Sequence, residues 1–297
     1  MQGRQVRLKR EQISTNHVSP KRVRFRDGIL KKNTQQPLRV VQVSDSHLFA
    51  STEGRLLGLN TEDSLRLVLE KVQREQTHID LILATGDIAQ DASEAAYTRF
   101  QQHLAQFDAP NYWLQGNHDI TEPILNTLND KTRLSPCVIQ QDGWQIIMLN
   151  SSVEYEVPGN FAPNELQFLQ QALSASTRSH VMVCLHHHPI PMDCTWLDNQ
   201  VVANADAFWQ IIDQFSHIKA IIWGHVHQES DRVRKGVRLL SVPSTCVQFK
   251  PLSDDFAIDD LSPGYRWLDL YANGDIVTQV SRVEGVKFVV DWSVRGY

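Results

Sequence analysis

Apolar runs of four to six residues recur along the chain, separated by longer segments with helical periodicity. The runs predict buried strands at 38–43, 79–84, 111–114, 144–149, 180–185 and 219–223. Between them, apolar residues spaced three and four apart predict helices that follow the Asn60 cap or cover about 93–107, 163–173 and 204–215. Strands that alternate with helices predict layered sheets covered by helices, which is an α/β fold.

The pattern changes after Val226, where short strands separated by turns replace the alternation of strands and helices. Strands are predicted at 233–234, 237–242, 265–271 and 276–280. The last two flank Asn273-Gly274, a dipeptide typical of a hairpin turn. We therefore predict one folded domain over residues 36–285, followed by a C-terminal tail at 286–297.

Charge is distributed unevenly along the chain. Residues 1–32 contain ten Lys or Arg and two acidic residues, whereas the whole chain carries a formal net charge of −5. We therefore predict that residues 1–35 form a basic N-terminal extension, partly disordered, attached to an acidic domain. An acidic domain argues against a nucleic-acid duplex as partner, because phosphate backbones bind Lys and Arg.

The remaining composition is that of an ordinary soluble protein, 41% hydrophobic and 21% charged. No apolar stretch reaches 18 residues, so we predict no membrane span. The four cysteines lack CxxC spacing, which favours reduced thiols and a cytoplasmic location. The sequence leaves monomer and dimer open.

Polar fragments follow five of the predicted strands. In chain order they read Asp45-Ser-His47, Gly86-Asp87, Gly116-Asn-His-Asp119, Leu185-His-His-His-Pro189 and Gly224-His-Val-His227. In open α/β sheets, ligands bind beyond the carboxyl ends of strands, so these fragments are expected to converge. Their Asp, Asn and His side chains supply the oxygen and nitrogen donors that suit a pair of first-row divalent metals. The fragments contain no cysteine, which argues against a structural zinc site.

This order of motifs resembles the calcineurin-like metallophosphoesterase superfamily over about residues 38–270. Within it, the segments at 84–91, 185–189, 194–198 and 243–251 resemble the class III cyclic-AMP phosphodiesterases of bacteria. The resemblance implies a four-layer α/β/β/α sandwich with a dimetal site at the C-terminal ends of the strands. It also implies two divalent metal ions as cofactors, and iron or manganese suits this mixed nitrogen and oxygen ligation.

The resemblance further implies a ligand set for each metal. The predicted ligands are Asp45, His47, Asp87 and His227 for one metal, and Asp87, Asn117, His187 and His225 for the other. Asp87 would bridge the two ions through its two carboxylate oxygens. Among three consecutive histidines we choose His187, because the ligand in this family lies two residues before proline.

His118 and Asp87 are the predicted catalytic residues. His118 would stabilise the charge that develops on the phosphate, and could protonate the leaving oxygen. The residues expected to bind substrate are His47, Asp87, Asn117, His118 and His227. Two acids, Asp119 and Asp91, are candidates for orienting His118, and the sequence does not choose between them.

The implied reaction is hydrolysis of 3′,5′-cyclic AMP to 5′-AMP by in-line attack of a metal-bridging hydroxide. Trp196 and Phe249 flank the narrower motifs and are candidates for lining a nucleotide pocket. One alternative retains the metals and changes the substrate to a glycerophosphodiester, a nucleotide pyrophosphate or a nucleic-acid end. Another is a scaffold of this fold that binds a partner and performs no chemistry, which the full set of candidate ligands disfavours.

Overall fold

The computed structural model describes residues 36–176 and 179–296, so the predicted basic extension at 1–35 lies outside the described residues. The strands are β1 (Leu38–Val43), β2 (Arg55–Leu56), β3 (Leu59–Asn60), β4 (Leu81–Thr85), β5 (Asn111–Leu114), β6 (Cys137–Gln141), β7 (Trp144–Met148), β8 (His180–Cys184), β9 (Ile218–Trp223), β10 (Ser230–Arg234), β11 (Val237–Ser241), β12 (Gln248–Phe249), β13 (Ile258–Asp259), β14 (Gly264–Leu270) and β15 (Ile276–Arg282). The helices are α1 (Thr61–Glu75), α2 (Glu94–Leu104), α3 (Thr121–Thr127), α4 (Pro163–Ala175), α5 (Thr195–Asp198) and α6 (Ala205–Ile212), with a 3₁₀ turn at Lys131–Arg133.

The strands form two large sheets. One has the order β15-β14-β1-β4-β5, and the other has the order β10-β11-β9-β8-β7-β6. In the first sheet β1, β4 and β5 are parallel, and in the second β7, β8, β9 and β11 are parallel. The antiparallel strands lie outside these parallel groups. Each sheet therefore gathers the carboxyl ends of its central strands at one edge.

Three hydrophobic cores separate four layers. The middle core joins inward residues of both sheets, such as Val40 and Leu83 from the first and Met182 and Ile222 from the second. A second core packs the outer face of the first sheet against α1, α2 and α3, and a third packs the second sheet against α4, α5 and α6. This α/β/β/α arrangement confirms the predicted fold class.

Helix α1 shows how local sequence produces these layers. The Asn60 side chain accepts a hydrogen bond from the backbone of Asp63, and two acids occupy the first turn. The apolar residues Leu65, Val68 and Leu69 share one face and are buried against the first sheet. The Asn60 cap and the spacing of the apolar residues both lie within the segment itself, so the sequence alone predicts this helix.

The segment after β15 lies against the domain. The backbone of Asp291 donates a hydrogen bond to the Leu57 carbonyl, and the side chains of Phe288 and Val290 pack on the core beneath α4 and α6. In the ranges that the structure describes, no helix is both long enough and apolar enough to cross a membrane.

Candidate metal centre

Five loops meet where the parallel strands end. Asp45, Asp87, His186 and His225 each lie two residues beyond the end of a strand, and Asn117 lies three beyond β5. The loops after β1 and β4 remain paired beyond the strands, because the backbones of Asp45 and His47 donate to the carbonyls of Gly86 and Asp87. The predicted convergence at the strand ends is therefore present.

The backbone at the centre is strained. Asp45, His47, Asp87, His225 and His227 all adopt positive φ angles, between 46° and 63°. Residues with side chains rarely adopt this conformation, and it persists at functional sites where the surrounding structure enforces it. The turns direct the side chains of these five residues into one buried cluster.

The first half of the cluster contains Asp45, His47, Asp87 and His227, all buried. The Nε2 atoms of His47 and His227 are 3.1 Å apart. His227 Nε2 lies 3.5 Å from a carboxylate oxygen of Asp45, and His47 Nε2 lies 3.7 Å from one of Asp87. The donor atoms of Asp45, His47 and His227 lie within 4.8 Å of one another, close enough to share one cation.

The hydrogen bonds behind the histidines determine which nitrogen carries the hydrogen. His227 Nδ1 lies 2.8 Å from the carbonyl of Val247, which can only accept, so Nδ1 carries the hydrogen. His47 Nδ1 lies 2.7 Å from the amide oxygen of Gln90 and donates in the same way. Two bare Nε2 lone pairs then face each other, an arrangement that a metal ion between them makes favourable. The residues therefore fit a metal.

The second half of the cluster is centred on His186. Its Nδ1 donates to the Thr85 carbonyl at 2.8 Å, so Nε2 carries the lone pair in the neutral form of the ring, which is the form that binds a metal. That Nε2 lies 3.2 Å from the amide oxygen of Asn117 and 3.4 Å from a carboxylate oxygen of Asp87. His225 lies close to His186 and His187, and its buried Nε2 has no hydrogen-bond partner. The carboxylate, amide and imidazole groups of these four residues are the donor types that fit a divalent cation.

Both nitrogens of His187 are used within the protein. Its Nε2 donates to the Val157 carbonyl at 3.0 Å, and its Nδ1 accepts the hydroxyl of Ser151 at 2.9 Å. The ring also packs against Gly159, where any Cβ would collide with it. The side chain lies beside His186 and His225, but the position facing Asp87 and Asn117 belongs to His186 rather than to the histidine chosen from the sequence.

His118 lies at the edge of the cluster. It is partly exposed, its backbone donates to a carboxylate oxygen of Asp87 at 2.9 Å, and its ring meets that of His47 edge-on at 5.1 Å. Asp119 accepts hydrogen bonds from the backbones of Ile88, Ala89 and Gly116 and from the Tyr97 hydroxyl. Asp119 therefore ties together the loops that carry Asp87 and Asn117. The other candidate for orienting His118, Asp91, accepts from the backbones of Ala50 and Ser93.

Burial and charge determine the protonation of these groups. Burial lowers the pKa of His47 to about 3 despite the nearby carboxylates, and burial holds the pKa of His225 well below its usual range. Burial also opposes protonation of His186, but the charge and hydrogen bond of Asp87, the charge of Asp45 and the hydrogen bond to Thr85 together raise the pKa of His186 to about 9. Burial would raise the pKa of Asp87, yet the neighbouring histidines, His186 foremost, hold it well below its usual range. The centre thus favours positive charge beside Asp87.

Several residues of the site have no clear signal in the sequence. Gln90, Ser151 and the carbonyls of Thr85 and Val247 fix histidine rings from behind, and nothing in their local sequence predicts it. Gly86 can be recognised from the sequence, since a glycine before a candidate metal ligand suggests a constrained turn. Its φ is +96°, and a Cβ there would collide with the His186 ring.

The sequence matches the calcineurin-like phosphoesterase family over residues 38–229. The chain belongs to the calcineurin-like phosphoesterase family. It is 43% identical over 264 residues to the 3′,5′-cyclic adenosine monophosphate phosphodiesterase CpdA of Pseudomonas aeruginosa, covering 89% of this chain and 97% of the relative. It is 42% identical over 263 residues to the protein of the same name from Escherichia coli strain K12, covering 88% of this chain and 95% of the relative.

Solved structures support the fold. A dimetal phosphatase from Danio rerio superposes with a TM-score of 0.62 at 16% identity, covering 86% of this chain and 99% of that one. GAP50, described as the anchor in the inner membrane complex of Plasmodium, gives a TM-score of 0.59 at 12% identity, covering 86% and 90%. At such identities the likeness shows the architecture only. This calcineurin-like phosphoesterase must therefore be assigned a reaction from its own residues and its closer relatives.

Proposed function

We propose that the protein is a metal-dependent phosphodiesterase that hydrolyses 3′,5′-cyclic AMP to 5′-AMP. The proposal rests on the two clusters of histidine and carboxylate donors that lie on either side of Asp87. The chain is also more than 40% identical to two cyclic-AMP phosphodiesterases over most of its length. Two adjacent metal ions form a centre suited to phosphoester cleavage.

The proposed ligands of one ion are Asp45, His47, Asp87 and His227. For the other ion we propose Asp87, Asn117, His186 and His225, with His186 in place of His187. The reason is the direction of the lone pairs, since the free nitrogen of His186 faces Asp87 and Asn117 while both nitrogens of His187 are bonded elsewhere. Iron or manganese is the proposed metal, because both accept mixed carboxylate, amide and imidazole ligation.

The bound ions would supply Lewis-acid polarisation of the phosphate and a water of lowered pKa. The protein's own contribution begins with Asp87, whose carboxylate is fixed by the His118 backbone and lies between the two halves of the centre. His118 is proposed to hold a proton close to the 3′-oxygen of the ribose. As water adds to phosphorus in line with that oxygen, the P–O3′ bond breaks, the 3′-oxygen takes the proton of His118, and one proton of the water is released to solvent, from which His118 is protonated again. The product is 5′-AMP with a free 3′-hydroxyl.

A substrate panel with known metal content tests the proposal. Cyclic AMP, cyclic GMP, glycerophosphocholine, bis-p-nitrophenyl phosphate and single-stranded DNA should be compared on one preparation. We expect cyclic AMP to give the highest kcat/KM, and Asp87→Ala and Asn117→Ala to lower turnover by orders of magnitude. Asn126→Ala, which removes a surface amide bonded to Glu94, is the matched control. A preparation containing two metals per chain that prefers another phosphodiester would overturn the substrate assignment.

We also propose a cytoplasmic location. The four cysteines are free thiols, and three of them are buried. Cell fractionation of the source organism would test this.

A further inference from the structure

Three histidines of the centre donate a hydrogen bond from the ring nitrogen that faces away from the cluster, and their acceptors are of two kinds. His186 and His227 donate to the backbone carbonyls of Thr85 and Val247, so the fold itself fixes their tautomers. His47 donates instead to the side-chain oxygen of Gln90. A side-chain amide carries both a donor and an acceptor, so its orientation decides which ring nitrogen of His47 keeps the hydrogen.

Gln90 reaches His47 because the loops after β1 and β4 extend the parallel pairing of their strands. The register Val43↔Ala84 continues through Leu48, which forms a bridge with Ala89. The Gln90 backbone donates to the Leu48 carbonyl at 2.7 Å, which places the Gln90 side chain next to the ring one residue earlier. The continued parallel pairing therefore fixes the backbone of Gln90 relative to His47, as it would within a regular strand.

The loop of Gln90 is also fixed from its other side. Asp119 accepts the backbone hydrogens of Ile88 and Ala89, and Ser46 donates its hydroxyl to the Ile88 carbonyl. With its backbone held in this way, Gln90 can still rotate about its side-chain bonds. In the structure the side chain adopts the orientation that brings its amide oxygen to 2.7 Å from His47 Nδ1.

We infer that Gln90 is the positioning residue of one metal site, holding His47 in the tautomer whose bare Nε2 faces Asp45, Asp87 and His227. Loss of such an outer partner typically weakens metal binding by about 10–100-fold. The effect should be confined to one of the two ions, because the histidines of the other site, His186 and His225, do not depend on Gln90.

The test is a stepwise metal titration, by competition with a chelator, of the full-length protein. Gln90→Leu should weaken one equivalent of Mn²⁺ by about 10–100-fold and leave the other unchanged. Gln90→Glu should restore tight binding, because a carboxylate accepts the Nδ1 hydrogen at least as well as an amide. Gln73→Leu, which removes a surface amide bonded to Gln106, is the matched control and should bind as the wild type does.

A second measurement reports the tautomer directly. Long-range ¹H–¹⁵N spectra of the histidine rings should show His47 with hydrogen on Nδ1 in the metal-free wild type and in Gln90→Glu, and a changed pattern in Gln90→Leu. Equal weakening of both metals in Gln90→Leu, or unchanged binding of both, would overturn the inference. A loss of binding in Gln90→Glu would do so as well, and that variant decides the question if Gln90→Leu does not fold.

This inference rests on the proposed dimetal centre, and the two can fail separately. A wild-type chain that binds fewer than two metals contradicts the proposed function. A wild-type chain that binds two metals, with both unaffected by Gln90→Leu, contradicts only the role of Gln90.

Discussion

Alanine at His186 and alanine at the neighbouring His187 should have different consequences. His186→Ala removes a nitrogen that faces Asp87 and Asn117, whereas His187→Ala removes two hydrogen bonds to Ser151 and Val157. The first change should reduce metal content and turnover. The second should reduce stability while leaving both metals in place.

The stability cost of His187→Ala can be worked from its contacts. The ring is fully buried, and its removal leaves the Ser151 hydroxyl without its acceptor. A buried polar group without a partner costs about 1–3 kcal/mol, and the cavity left by the ring adds to this. We expect a loss of about 2–4 kcal/mol in the free energy of unfolding. For a chain of this size, that corresponds to a fall in Tm of roughly 5–12 °C.

Elemental analysis, calorimetry and turnover on the same preparations separate these outcomes. His186→Ala should retain about one metal per chain and lose most activity. His187→Ala should retain two metals and turn over within about tenfold of the wild type, which corresponds to an activation barrier no more than roughly 1.4 kcal/mol higher. If His187→Ala instead loses a metal and His186→Ala keeps both, the argument from lone-pair direction is refuted.

Three further variants probe other parts of the structure. His118→Ala should lower kcat by about 10²–10⁴-fold while both metals remain, and normal turnover would exclude proton transfer by this residue. Gly86→Ala should lower both Tm and metal content, because φ at this position is +96° and the new Cβ would collide with the His186 ring. Wild-type values of Tm and metal content would contradict this collision. Arg234 and Lys235 hold the pKa of Asp213 down at about 2, so its contribution to stability is present above pH 4 and lost as pH falls through 2. The free energies of unfolding of Asp213→Asn and the wild type should therefore differ at pH 6 and converge near pH 2. A difference that grows as the pH falls would contradict this direction.

The local signals predicted most of the fold. Short apolar runs predicted the central strands because a strand covered on both faces needs apolar residues on both, and the Asn60 cap with Leu65, Val68 and Leu69 predicted α1. The predictions did not include α3 and α5, which are short. Only Ile124 is buried in α3 and only Leu197 in α5, so neither leaves a periodic pattern.

The loops that carry the proposed metal ligands could be located from the sequence, but their internal geometry could not be predicted. The motifs located the loops because all lie two or three residues beyond a strand. Which of three consecutive histidines faces Asp87 depends on the Thr85 carbonyl, more than 100 residues away in the chain. The supporting role of Gln90 likewise depends on the pairing of two loops. Such long-range contacts have no periodic signature.

Each half of the proposed centre draws side chains from both sheets. Asp45, Asp87 and Asn117 follow strands of the first sheet, whereas His186 and His225 follow strands of the second. A cation held between them would act as a cross-link, joining the two layers at the end where the central apolar core stops. Removing it with a chelator would then loosen the seam between the sheets, and amide exchange in β4 and β8 should accelerate together.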